Sequence, residues 1–138
     1  MAKCFLDTNI LVYACDQDIP AKKEKARALL RDQQRHDQPP CISTQVLQEF
    51  YVATTRKLNI EPLRAKDMMR SFRHMEIAQI SPDDINQAID GSIIWQLSFW
   101  DALILVAAMK LRCAIVYSED LNAGQHFESV RVINPFEE

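Results

Sequence analysis

Short apolar runs alternate along this 138-residue chain with stretches whose apolar residues recur at helical spacing, and that alternation most restricts its fold. A buried strand needs only a few apolar residues, whereas a surface helix needs an apolar side every three to four positions; repeated switching between the two predicts a parallel sheet with helical crossovers. Cys4-Phe5-Leu6 reads as a strand stopped by Asp7-Thr8-Asn9, and Ile10-Leu11-Val12-Tyr13 opens a helix. Pro20 precedes a helix over 21–35, with Ala26, Leu29 and Leu30 inside and six basic residues outside. A polar connector spans 36–40, Cys41-Ile42 is a short strand, and Ser43 caps a helix over 44–58. Pro62 starts a helix that runs to 74, and 77–80 is a short strand. Ser81-Pro82-Asp83-Asp84 starts a helix that runs to 97. Ser98-Phe99-Trp100-Asp101 repeats that signal before an apolar helix over 102–112, and strands follow at 114–117 and 131–133. No linker, internal repeat or low-complexity stretch divides the chain, so 1–138 reads as one α/β domain with a mainly parallel sheet.

Composition removes several function classes. The only glycines are Gly91 and Gly124, so neither a Walker loop nor a GxGxxG dinucleotide fingerprint can be present. Sixteen basic residues against nineteen acidic ones leave a net charge of −3, which excludes binding to nucleic acid through a basic surface field. An enzyme that meets phosphate through a metal ion survives that exclusion. Cys4, Cys15, Cys41 and Cys113 form no CxxC or Cys/His zinc spacing, and Cys4 and Cys113 lie in apolar runs, a usage that suits a reducing cytosol. The longest uncharged apolar run, 102–109, is far short of the ~20 residues of a membrane helix. Asp7 interrupts the one N-terminal stretch that resembles a secretory leader, so a cytoplasmic chain is expected.

Four acids carry the functional argument. Asp7 follows the first strand, and Asp120 follows the strand at 114–117, two residues after Ser118. Ligands of open α/β sheets bind outside the carboxyl ends of strands, so the two converge if those strands are neighbours. Asp101 lies in the first turn of the apolar helix leading into the second of them, and Glu49 sits on the shoulder of the apolar face of its helix. Clustered carboxylates repel until a cation neutralises them; an all-oxygen set suits Mg²⁺, and such a site suits phosphodiester hydrolysis.

Each acid also has a structural reading. Asp7 fits a turn or helix cap, Asp101 a capping box with Ser98, Glu49 a solvent-facing helical position, and Asp120 plain loop polarity beside Glu119. Spacing alone leaves both readings open. His36, His74 and His126 have no partner at ligand spacing. Trp95, Phe99 and Trp100 read as core or interface residues rather than a base-stacking platform. Lys22, Lys23, Lys25, Arg27, Arg31 and Arg35 read as a solvated face.

Four segments resemble the motifs of one family. Phe5-Leu6-Asp7-Thr8-Asn9-Ile10-Leu11 resembles the opening motif of PIN-domain nucleases, and Ser43 to Phe50, with Glu49, resembles the second. Ser98 to Ile104, with Asp101, resembles the third, and Val116-Tyr117-Ser118-Glu119-Asp120-Leu121 the fourth. Together they span most of the chain in the family's order, and the type they most resemble is the small VapC-like toxin.

The resemblance implies a three-layer α/β fold, with a mainly parallel central sheet flanked by helices. It implies an endoribonuclease that requires Mg²⁺ or Mn²⁺, forms a homodimer and is blocked by an antitoxin protein. Asp7, Glu49, Asp101 and Asp120 match the acidic, metal-binding and catalytic positions; Thr8, Asn9 and Ser118 match their hydrogen-bonding supports. Glu119 can stand in for Asp120, but the two-residue offset from Ser118 favours Asp120. Two alternatives remain: a structure-specific DNA nuclease, and a non-catalytic module that binds RNA or protein. A phosphoaspartate receiver would need a lysine ending a late strand, where this chain has Tyr117-Ser118-Glu119.

Overall fold

A computed structural model describes residues 3–34, 38–121 and 124–137. Its centre is a six-stranded sheet in the order β3-β2-β1-β4-β6-β5. The strands are β1 (Cys4–Leu6), β2 (Cys41–Ser43), β3 (Glu76–Ala78), β4 (Ile115–Tyr117), β5 (His126–Phe127) and β6 (Val130–Ile133). Every neighbouring pair is parallel except β5 with β6. β1 and β4 are entirely or largely buried and apolar, as a parallel sheet covered on both faces requires. The chain order runs outward from β1 to β2 and β3 on one side, and through β4 to β6 on the other. The β1/β4 junction is therefore the topological switch point, where a crevice opens at the strands' carboxyl ends.

The helices are α1 (Thr8–Tyr13), α2 (Pro20–Gln34), α3 (Thr44–Arg56), α4 (Pro62–Met69), α5 (Pro82–Trp95) and α6 (Phe99–Lys110). Ser43 ends β2 and also caps α3, its hydroxyl accepting from the Val46 amide at 3.3 Å. α6 is the central helix: every residue from Ala102 to Ala108 is buried, so it is apolar all round and joins two clusters of core side chains. Gln96 takes the left-handed conformation at the end of α5 (φ 56°), and this cap lets α6 turn back through 115° against it. No single helix among the described residues is long and apolar enough to cross a membrane.

Four expectations shift. The helix expected over 62–74 ends at Met69, and its last turn tightens to a 3-10 turn at Arg70–His74. The strand expected at 77–80 lies at Glu76–Ala78, held by its register with β2. The helix expected from 102 starts at Phe99. β5 was not expected; its two residues are specified by the hairpin with β6 rather than by any apolar run. The expected end of α2 at Arg35, and His36 in the connector, lie outside the described residues.

α5 carries the complete capping box. The Ser81 hydroxyl accepts from the Asp84 amide, and the Asp84 carboxylate accepts from the Ser81 amide at 2.9 Å and from Lys110 Nζ at 2.7 Å. Burial pushes the Asp84 carboxyl upward, but Lys110 and the Ser81 bonds outweigh it and hold the group below its ordinary 3.8. We expect Asp84→Ala to lower unfolding free energy by about 1–2 kcal/mol near neutral pH. A depressed carboxyl stabilises the fold above its unfolded value, and that stabilisation disappears as pH falls through the folded one. Urea titrations of parent and variant should therefore converge as pH drops below 3.8; a gap that persists there would assign the loss to packing instead.

Candidate active site

Asp7 leaves β1 at the switch point. Its amide donates to Tyr117 O at 3.0 Å, and the Ser118 amide donates to Ile133 O at 3.0 Å, so the ladder sets both residues at the same sheet edge. The Asp7 side chain caps α1: Oδ1 accepts from the Thr8 amide at 2.7 Å, and Oδ2 accepts from the buried Ser118 hydroxyl at 2.7 Å. The turn-and-cap reading of Asp7 is thus true as geometry. It leaves a lone pair on Oδ1, since each carboxylate oxygen accepts twice. Burial pushes the Asp7 carboxyl up to about 6; the bonds from Ser118 and Thr8 pull it down, and the nearby Glu49 and Asp120 charges push it further up.

The other acids gather around it from three elements. Glu49 on α3 accepts from the Thr8 hydroxyl at 2.7 Å and from Gln45 Nε2 at 3.2 Å. Asp120 accepts from Asn9 Nδ2 at 3.1 Å, and the same amide reaches Asp7 Oδ2 at 3.5 Å. Asp101 lies in the first turn of α6, where its backbone amide donates to the Ser98 hydroxyl at 3.1 Å. This is the hydroxyl half of the capping arrangement expected there. Partial burial raises the Asp101 carboxyl against the Ser98 bond, and the Asp120 and Glu49 charges raise it further. Glu49 and Asp120 thus lie within electrostatic reach of both Asp7 and Asp101, and Thr8, Asn9 and Ser118 donate to Asp7, Glu49 and Asp120.

Glu119 goes elsewhere. It pairs with Lys22 of α2 and accepts from the Tyr13 hydroxyl at 2.6 Å. Burial alone would raise its carboxyl, but Lys22 and Tyr13 hold it below the usual range. Lys22 also lies over the rings of Tyr13 and Phe136, 4.7 and 5.6 Å from their centroids. The expected solvated basic face is thus partly engaged: Lys22 holds Glu119, Arg27 Nε donates to Ala14 O, and Lys25 Nζ donates to Phe136 O.

Sequence reasoning missed Gln45. It is buried, and both N–H groups of its amide are committed, to Glu49 Oε2 and to Trp100 O at 3.2 Å each. Both partners are acceptors, which fixes the amide's orientation and leaves Oε1 buried without a donor. Gln45 thereby ties α3 to the start of α6. Its position one helical turn before Glu49 was the available signal.

The site opens into a groove of about 990 Å³ lined by Thr8, Asn9, Val12, Gln45, Glu49, Val52, Arg56, Trp100 and Asp120, among others. No Lys or Arg among the described residues is paired with any of the four acids. The donor set is all oxygen and carries uncompensated negative charge, the chemistry that a hard divalent cation satisfies. Among the described residues no three Asp, Glu, His or Cys side chains close on one point; the carboxylates instead turn to the hydroxyl and amide donors beside them.

Ser118 is the junction of this network, donating to Asp7 and accepting from the Asp120 and Leu121 amides at 3.1 and 3.2 Å. Ser118→Ala strands all three groups and should lower unfolding free energy by about 1–3 kcal/mol. Chemical denaturation checks this; a loss under a few tenths of a kcal/mol would show that water replaces the hydroxyl.

Comparisons with known proteins agree with this fold. No curated protein sequence matches the chain. Among solved structures, a toxin–antitoxin complex from Klebsiella pneumoniae superposes with a TM-score of 0.70 at 20% identity, over 99% of this chain and 100% of that one. The sarcin–ricin loop cleaving toxin VapC20 of Mycobacterium tuberculosis gives 0.67 at 18% identity, over 86% and 90%. DNA-bound VapBC from Salmonella typhimurium gives 0.66 at 20% identity, over 96% and 97%. At these identities the likeness is one of fold. The sequence model of the PIN domain matches residues 4–128, a span that contains all four acids and every strand but β6, and the chain belongs to the PIN domain family.

Proposed function

We propose that this chain is a metal-dependent endoribonuclease and the toxin of a toxin–antitoxin pair. One observation carries the reading: among the four acids matched to the family's motifs, Glu49 and Asp120 lie within electrostatic reach of both Asp7 and Asp101, and no Lys or Arg among the described residues pairs with any of them. Asp7 and Asp101 would hold Mg²⁺ or Mn²⁺ directly, with Glu49 and Asp120 completing the set directly or through water. Bound there, the cation supplies a nucleophilic water and neutralises charge on the phosphorus.

The chain's own residues do the rest. Ser118 and the Thr8 amide keep Asp7 oriented, and Asn9 spans Asp7 and Asp120. Gln45 holds Glu49 against the groove, while Lys22 and Tyr13 engage Glu119. That arrangement favours Asp120 as the fourth acid. Arg56 lies seven residues after Glu49 on the same face of α3, about 10 Å further along the groove, and suits a phosphate of the substrate strand.

Partners fit the same reading. Solved structures of this fold include toxin–antitoxin complexes, which supports an antitoxin here. Ile85, Ile89 and Ile93 leave an exposed apolar stripe along α5, a surface on which a second copy can pack.

The test is cleavage of a mixed RNA pool by purified protein in Mg²⁺, Mn²⁺ and EDTA. Cleavage should need metal and fall more than about 100-fold in folded Asp7→Asn and Asp101→Asn. Calorimetric titration should show Mn²⁺ affinity lost in both. Variants that cut like the parent would sink the site, and a parent that cuts flapped DNA but no RNA would transfer the reading to a DNA nuclease. Arg56→Gln should reduce the salt dependence of RNA binding by about one counterion; an unchanged slope would remove Arg56 from the strand's path.

A further inference from the structure

Trp100 is 61% exposed, although it sits at the start of the most deeply buried helix. Trp95, by contrast, packs into the core with its ring 6.0 Å from that of Phe127. Leaving an indole in water forfeits one of the largest apolar burials a residue can provide, so its placement calls for a partner. Two contacts position it. Its ring meets Phe99 edge-on at 5.0 Å and 75°, and its carbonyl accepts from Gln45 Nε2 at 3.2 Å. It precedes Asp101 and lines the groove with Glu49, Asn9 and Asp120.

We propose that Trp100 is a substrate-binding residue whose indole stacks on an unpaired base of the RNA beside the cleaved phosphodiester. This rests on the nuclease reading above. A base inside a duplex has both faces covered by its neighbours, whereas an unpaired base offers one to an aromatic ring. Glu49 and Asp120, two of the acids proposed to act on the phosphodiester, line the same groove as the indole, so a strand held at those acids passes beside its ring.

The experiment compares parent, Trp100→Ala and Trp100→Phe on a fluorescent oligoribonucleotide that the parent cuts, with the target site unpaired or clamped in a duplex. Trp100→Ala should raise KM about 10-fold or more on the unpaired substrate, Trp100→Phe should recover most of that, and the parent should prefer the unpaired site. Mn²⁺ affinity, melting temperature and elution volume should match the parent in both variants. An unchanged KM in Trp100→Ala, or equal cutting of both substrates by the parent, overturns the inference alone. Mn²⁺ affinity that falls with KM would make Trp100 a support for Asp101, and a shift to a smaller species on gel filtration would make it a protein contact; either overturns it. A parent that cuts no RNA sinks the nuclease reading and this inference with it.

Discussion

A carboxylate held almost out of water between two parallel strand ends is the constraint to which the rest of this site answers. Asp7 is 6% exposed, and burial pushes its carboxyl to about 6. A charge in that position is tolerated only with donors placed by the fold, and Thr8 and Ser118 are placed by it. Thr8 N is the first amide of α1, and Ser118 follows β4, the strand that pairs with β1 along its whole length. If the β1–β4 register slipped by one residue, the Ser118 hydroxyl would lie on the wrong face and Asp7 would lose its strongest donor.

Neighbouring acids in the chain receive opposite fates from the same loop. Glu119 and Asp120 are adjacent, and backbone geometry sends their side chains to different places. Lys22 and Tyr13 neutralise Glu119, which takes one charge away from a cluster already short of cations. Asp120 is left to Asn9, a neutral donor, and so keeps its charge available. A cluster with five free carboxylates would repel more strongly and bind a cation less selectively in position. The α2 helix, far from the motifs in sequence, thus tunes how many charges the groove contains.

α3 and α6 deliver Glu49 and Asp101 from outside the sheet, and Gln45 joins them by spending both amide protons on the two helices. The cost is a buried carbonyl oxygen without a donor, an imbalance of about 1–3 kcal/mol that a packed apolar residue would avoid. The groove that results is walled by α1 and α3, with an exposed indole beside Asp101 and Arg56 two turns beyond Glu49.

Read from the sequence alone, the alternation of short apolar runs and helical spacing determined the α/β class, and the segments around Asp7, Glu49, Asp101 and Asp120 determined the family. Caps were equally legible, because Ser43, Ser81 and Ser98 act on amides three residues away. Local rules reach only that far. The two-residue strand β5 depends on its hairpin partner, and α4 passes into a 3-10 turn at Arg70–His74, and neither had a signal in its own residues. The pairing of Glu119 with Lys22, the bridging amide of Gln45 and the exposure of Trp100 were decided by tertiary structure. Each turns on contacts between residues distant in the chain, and only the strand order and helix packing bring those residues together.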